Sequence, residues 1–469
     1  MLFNSFQFIA LVATAFCIYY MPPAKKWQPA LLIMVSFIFY SANEPVLLLL
    51  LILSIIINAV TSYLIFFGNS DYKKIYATTG VCVNLLTLAF FKYSPLFGKS
   101  FFPAGNSVGQ FLMMIPLPIG ISFFTFQGIT LLVDSFRAER ITEYKNLENK
   151  SFSRHAVNTA LFISFFPQLV AGPIVKAHDF IPQIKTKQLI DIDWNHCFKS
   201  LVLGYFFKMV IADNLKDQTF WIAFPYFNGH STATILMMLF GYSIQIFSDF
   251  AGYSLIAIGV AGLFGYKLPP NFYFPYISRS FSEFWTRWHI SLSTFLKEYL
   301  YFPLGGNRKG KKRTYINLMI VMVLGGFWHG AAWSYAVWGF AHGSVLVLER
   351  FLRTKIPLPN GNMINFTKAA TVFTFVSCAW LLFKLPNFDH VVSLFTALIK
   401  NINMGINIQI ALQIAMYSLP VVVYHLFYIY RNRIPVIHNN VLKPVIYGFL
   451  FFMIITNSGS SNAFIYFQF

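Results

Sequence analysis

Ser282 to Gly343 reads SEFWTRWHISLSTFLKEYLYFPLGGNRKGKKRTYINLMIVMVLGGFWHGAAWSYAVWGFAHG. Two tryptophan–histidine pairs, Trp288-His289 and Trp328-His329, flank the most basic short run in the chain, Asn307 to Arg313. A third histidine, His342, follows shortly after. A helix beginning near Tyr315 and rising 1.5 Å per residue puts His329 about 21 Å along its axis. In a hydrocarbon layer about 30 Å thick that is well inside. Gly325-Gly326 before it and Gly330-Ala331-Ala332 after it allow close backbone approach or a break. A neutral imidazole there can serve as a base near pH 7; the competing reading is a histidine that only hydrogen-bonds between helices.

Outward from this stretch the chain is apolar. Of its 469 residues 57% are hydrophobic and 11% charged, against about 25% charged in soluble domains. The long continuous apolar runs predict helices rather than the alternating ten-residue strands of a barrel. The formal charge of +19, 35 Lys and Arg against 16 Asp and Glu, reads as positive-inside topology. Cys17, Cys82, Cys197 and Cys378 are scattered, which indicates neither a disulfide framework nor a metal site. Met1 to Tyr20 lacks a basic n-region and reads as a retained membrane helix.

Apolar segments predict helices near 6–21, 28–41, 45–67, 75–91, 111–133, 369–384, 409–430 and 441–456. Leu117 to Ser122 and Phe165 to Ile174 are punctuated by proline and glycine, which break helices. Met237 to Phe264 is long enough to span, yet carries Gln245 and Asp249. Asp249 either faces an interior cavity or caps a helix at a break. Residues 1–456 read as one membrane body. Asn457 to Asn462 reads as a flexible polar linker, leading into the aromatic Phe464 to Phe469.

Ser282 to Tyr301 cannot be a lipid-facing span, because it holds Glu283, Arg287, His289, Lys297 and Glu298. Glu283 and Arg287 are i,i+4 partners on an amphipathic helix, and Trp285 and Trp288 suit interfacial depth. Arg308, Lys309, Lys311, Lys312 and Arg313 read as a cytoplasmic loop that can also guide an anionic donor. Binding of nucleic acid is not expected. HExxH, GxSxG, P-loop and GxGxxG patterns do not occur in the sequence.

Several stretches together carry a resemblance: LPIGISFFTFQ (117–127), FPQLVAGPI (166–174), QIFSDFAGYS (245–254), FWTRWHISLS (284–293), PLGGN (303–307) and FWHGA (327–331). The chain resembles the membrane-bound O-acyltransferase family, in its bacterial alginate and peptidoglycan O-acetylase branch. The resemblance implies an all-α polytopic ring of about 11–13 membrane helices, with re-entrant and interfacial helices around a central tunnel. It implies that His329, the histidine of the WHG motif, is catalytic, with His289 as the second functional histidine. Trp288, Trp328, Asp249, Gln245 and His342 are then tunnel-lining candidates. The implied donor is acetyl-CoA, with no bound cofactor. The acetyl group goes to an extracytoplasmic SGNH-hydrolase-like partner that modifies an exported polysaccharide, from a place in the bacterial cytoplasmic (inner) membrane.

Phe464-Ile465-Tyr466 resembles the aromatic tail of the small peptide that works with the related teichoic-acid D-alanyl transferase. Tyr466 is therefore an acyl-relay candidate, or alternatively an interfacial aromatic anchor. Two other functions remain open from the sequence: a D-alanyl-type enzyme using a carrier-protein thioester, and a transporter or flippase with no chemistry.

Overall fold

The computed structural model describes residues 1–42, 44–137, 151–170, 172–353, 361–431, 442–460 and 464. Its regular structure is helical throughout, with no strand among the described residues. The chain forms two compact units, one of residues 1–201 with 256–269 and one of residues 202–255 with 270–469.

The first unit holds α1 (Phe6–Tyr19), α2 (Gln28–Ser41), α3 (Pro45–Phe67), α4 (Lys73–Phe101), α5 (Ser107–Met114), α6 (Ile121–Arg137) and α7 (Phe152–Ser164). It also holds most of α8 (Trp194–Tyr205). Pro22 and Pro23 lack amide donors, so the chain turns between α1 and α2 by 103°. Buried Asn58 on α3 and Asn84 on α4 exchange hydrogen bonds at 3.2 and 3.0 Å, the kind of interhelical amide pairing that hydrocarbon favours. The proline–glycine stretch 117–120 does separate two helices, and the described residues of Phe165 to Ile174 include the four-residue helix Phe166–Leu169.

The second unit contains α9 (Asp213–Thr219), most of α10 (Thr232–Leu263), α11 (Phe281–Arg287), α12 (Ile290–Leu296), α13 (Gly310–His329) and α14 (Trp333–Arg353). It is completed by α15 (Asn362–Lys384), α16 (Phe388–Lys400), α17 (Ile408–Tyr430) and α18 (Leu442–Thr456). Among the described residues five helices are long and apolar enough to cross a membrane, or six if the bent α1–α2 pair is one span. The chain is thus an all-α, multi-pass membrane protein.

Three sequence expectations change. Ser282 to Tyr301 is not one amphipathic helix but α11, a break at Trp288-His289, α12 and a π-helical turn at Lys297–Tyr301. Lys311, Lys312 and Arg313 lie in the first turn of α13 rather than in a loop. Cations there oppose the helix dipole, a cost of a few tenths to about 1 kcal/mol, which the long apolar run behind them outweighs. α10 runs unbroken through Asp249, so no helix break is capped there.

The closest backbone packing in the second unit is between α13 and α14. A β-carbon on Gly326 would overlap the carbonyl of Tyr335, and one on Gly339 the carbonyl of Met322. The two helices therefore touch backbone to backbone, which only glycine permits. Gly339→Val should force them apart and cost about 1–3 kcal/mol or more. Thermal unfolding of the purified protein should show a lower midpoint than wild type.

Candidate active site

His329 is the last residue of α13 and is buried. Its ring meets Trp338 of α14 at 5.1 Å and Phe383 of α15 at 5.3 Å between centroids. His289 is completely buried, and its ring centroid lies 6.4 Å from that of His329. Trp328 packs against both, at 5.7 Å from His289 and 5.1 Å from His329. The two histidines that the sequence separates by forty positions thus share one aromatic enclosure.

His289 reaches this place through the break between α11 and α12. Its φ of +44° is left-handed, a conformation costing roughly 1–2 kcal/mol for a residue other than glycine. Asn271 holds the break open. Its carbonyl accepts from the Ile290 amide at 2.9 Å. Its side-chain oxygen accepts from the Ser291 hydroxyl at 2.6 Å, and its amide donates to the Ser254 hydroxyl at 3.0 Å. Tyr273 adds to this support, its amide donating to the Arg287 carbonyl at 2.9 Å, so hydrogen bonds lost at the break are replaced from the segment 271–273. On the outer side, Arg287 and Glu283 form the expected i,i+4 pair at 2.9 Å. Such strain held by several partners is a pattern of functional sites.

The other candidates are placed as follows. Trp288 is buried, packed against Phe272 at 4.9 Å and Trp380 at 5.0 Å. It sits there because α11 ends at Arg287 and turns the indole inward, against the face of α15. His342 lies beyond Trp338, which separates it from His329, and is boxed by Trp338 at 4.6 Å, Trp285 at 5.2 Å and Phe375 at 5.2 Å. Neither of its ring nitrogens has a hydrogen-bond partner among the described residues. Arg308, Lys309, Lys311, Lys312 and Arg313 are all exposed, at the opposite end of α13 from His329.

Gln245, Asp249 and Gly252 share one face of α10 and turn it onto the segment 204–219. Gln245 accepts from the Thr219 hydroxyl at 2.5 Å. A β-carbon at Gly252 would come within 2.8 Å of the Gly204 carbonyl oxygen and of the Lys208 nitrogen. That close approach delivers Asp249 to Lys208, whose ammonium donates to Asp213 at 2.7 Å and pairs with Asp249 at 2.8 Å. All three are buried. Lys208 sits in a π-helical segment, Phe206–Ala212, a distortion common at functional sites. Lys208 and Asp213 were not singled out from the sequence, although a lysine inside LVLGYFFKMV was a readable signal.

The chain's C-terminal segment also enters this unit. Asn457 to Ser460, whose composition predicts a flexible linker, is tied down instead. The Asn214 side-chain amide donates to the Asn457 carbonyl at 3.0 Å, and the Gly459 amide donates to Met209 at 2.9 Å. Phe464 is completely buried, stacked on Tyr253 at 4.5 Å and packed on Phe250 at 5.6 Å. Phe250 in turn meets the His289 ring edge-on at 4.6 Å. Tyr466, the relay candidate, lies outside the described residues. No group of three or more His, Cys, Asp or Glu capable of holding a metal is found among the described residues.

Comparison with known proteins decides the family. Residues 51–392 match the model of MBOAT, the membrane-bound O-acyltransferase family. The chain belongs to this family. It is 36% identical over 412 residues to a peptidoglycan O-acetyltransferase of Helicobacter pylori, covering 83% of this chain and 78% of that protein. It is 34% identical over 405 residues to a probable alginate O-acetylase AlgI of Azotobacter vinelandii, covering 83% and 76%. A teichoic acid D-alanyltransferase of Bacillus subtilis is more distant, at 27% over 287 residues, 58% of this chain and 70% of that protein. The protein is an acyltransferase, and the reading as a transporter without chemistry is set aside.

Lys208→Met leaves two carboxylates buried together without their cation. The expected loss is about 3–5 kcal/mol. The triple change K208M/D213N/D249N removes the stranded charges and should regain most of it. Chemical unfolding of the three proteins side by side checks the order.

Proposed function

We propose that the protein is an O-acetyltransferase of the inner membrane, taking acetyl groups from cytoplasmic acetyl-CoA for an exported polysaccharide such as peptidoglycan or alginate. An extracytoplasmic SGNH-hydrolase-like partner completes the transfer to the sugar. The observation that carries this reading is the buried pairing of His329 with His289, in a chain whose relatives of 34–36% identity are O-acetylases of those two polymers.

In the proposed reaction the His329 imidazole takes the proton of an acceptor hydroxyl as its oxygen attacks the thioester carbonyl. The tetrahedral intermediate collapses, the C–S bond breaks, and the imidazolium returns its proton to the departing thiolate. A positioned base of this kind contributes about 10²–10⁴-fold. The aromatic enclosure excludes water, which would otherwise hydrolyse the thioester. His289, held by Asn271 through the break before α12, stands across from His329 to orient the reacting groups.

The acceptor hydroxyl is that of Tyr466 in this reading. Phe464, two residues before it, is seated on Phe250, which touches His289. With a phenol pKa of about 10, an aryl acetate remains a better acyl donor than an alkyl ester, so the group can be passed on to the partner. A second reading, favoured by the similarity to the D-alanyltransferase, keeps the site and replaces acetyl-CoA with a carrier-protein thioester.

His329→Ala should lower acetyl transfer about 10²–10⁴-fold while the protein still purifies as a folded species. Consumption of acetyl-CoA in proteoliposomes measures it. No consumption by wild type, with turnover of a loaded carrier protein instead, selects the second reading. Tyr466→Phe should abolish polysaccharide O-acetylation in cells at unchanged protein level. Unaltered acetylation, read by O-acetyl analysis of wall and exopolysaccharide, eliminates the relay.

A further inference from the structure

The first unit contains a recess of about 430 Å³ that the acyl-transfer reading does not use. Four cations line it from three separate segments. Lys25 and Lys26 come from the 3₁₀ turn Pro22–Trp27, Arg154 from the start of α7, and Lys185 from the strand of chain after Ile181–Gln183. Asn158 and Thr186 add neutral donors, and among the described residues no carboxylate lines the recess. Aliphatic side chains from the same segments complete the wall. Arg154 is the third residue of a thirteen-residue helix, so the positive end of the α7 dipole abuts the recess as well.

Cations on flexible loops would spread apart, whereas these are mounted on a fixed frame. Gln28, the first residue of α2, is 1% exposed. Its amide donates to the Lys187 carbonyl at 3.0 Å and to the Tyr19 carbonyl at 3.1 Å. Its oxygen accepts from the Lys187 nitrogen at 2.8 Å. One buried side chain thus clamps the turn bearing Lys25 and Lys26 to the segment bearing Lys185 and Thr186. Lys187 itself points elsewhere, with its ammonium 4.8 Å over the Tyr266 ring.

We infer that this recess is a binding site for a phosphate group carried by an organic ligand. Ammonium and guanidinium donors gathered around one recess recognise phosphate oxygens, and the aliphatic wall accommodates what the phosphate is attached to. The positive-inside rule puts this face on the cytoplasmic side. Two sources offer the chemistry there, the headgroup of an anionic phospholipid and the phosphates of a nucleotide-bearing acyl donor. The site stands independently of which donor the enzyme uses.

The test uses the full-length purified protein and two probes. Native mass spectrometry measures retention of phosphatidylglycerol against phosphatidylcholine, and equilibrium dialysis measures coenzyme A. Wild type should prefer phosphatidylglycerol, or bind coenzyme A, and the preference names the source. The variant K26Q/R154Q/K185Q should weaken that binding at least about tenfold, since it removes three of the four cations that attract the phosphate. Gln28→Ala should weaken it as well with all four cations kept, because the clamp is gone. His329→Ala should leave it unchanged, which separates this site from the reaction centre. Should the triple variant aggregate, K26Q and K185Q singly carry the same test. The inference is overturned if wild type favours neither phosphate probe. It is equally overturned if the charge variants, shown folded by size-exclusion chromatography, or Gln28→Ala bind as wild type does.

Discussion

Where α13 and α14 cross, their backbones meet at Gly326 and Gly339 with no side chain between them. The setting of His329 depends on that contact. It brings Trp338 of α14 against the His329 ring. It also leaves the end of α13 tucked beneath α15, where Phe383 closes the other side. In hydrocarbon no hydrophobic gain drives helices together, so close approach of small residues and the dispersion contacts it permits must supply the cohesion. A side chain at either glycine would widen the crossing and move the imidazole out of register with its enclosure.

The second constraint is backbone polarity. A chain at membrane depth can leave helical geometry only where protein groups satisfy the freed donors and acceptors. At Trp288-His289 that service comes from Asn271, which bonds both the Ile290 amide and the Ser291 hydroxyl. The strained φ of His289 is therefore maintained by its surroundings rather than by local preference. The result turns His289 toward His329 and Trp288 away from it, into the aromatic packing against Trp380.

Buried charge and the C-terminal segment meet on the same helix. Asp249 and Gly252 direct one face of α10 to Lys208, while Phe250 and Tyr253, on the neighbouring face, receive Phe464. Gly459 passes directly over Asp213. Two carboxylates sharing one ammonium form a rigid anchor, costly to break by losing one partner. That anchor fixes the π-helical segment whose Met209 carbonyl the Gly459 amide engages. Seating of the tail and packing around His289 are thereby joined through a single turn of α10.

Much was legible in the sequence. Long apolar runs fixed the all-α membrane character, proline and glycine marked the breaks at 22–23 and 117–120, and the glycine-flanked Trp328-His329 pointed to a histidine that is buried. These are local signals, since helix periodicity, hydropathy and missing amide donors act within a few residues of one another. The meeting of His289 with His329 was not legible, nor was the role of Lys208, the seat of Phe464 or the Gln28 clamp. Ser282 to Tyr301 shows why. Its composition is that of an amphipathic helix, and the break is supported by Asn271 and Tyr273, too far away in sequence for any local pattern to register. The sequence by itself determined what the chain is made of and where it crosses apolar surroundings. The tertiary structure decided which polar groups pair in the interior, because in a medium without water each of them must find its partner wherever the fold brings one.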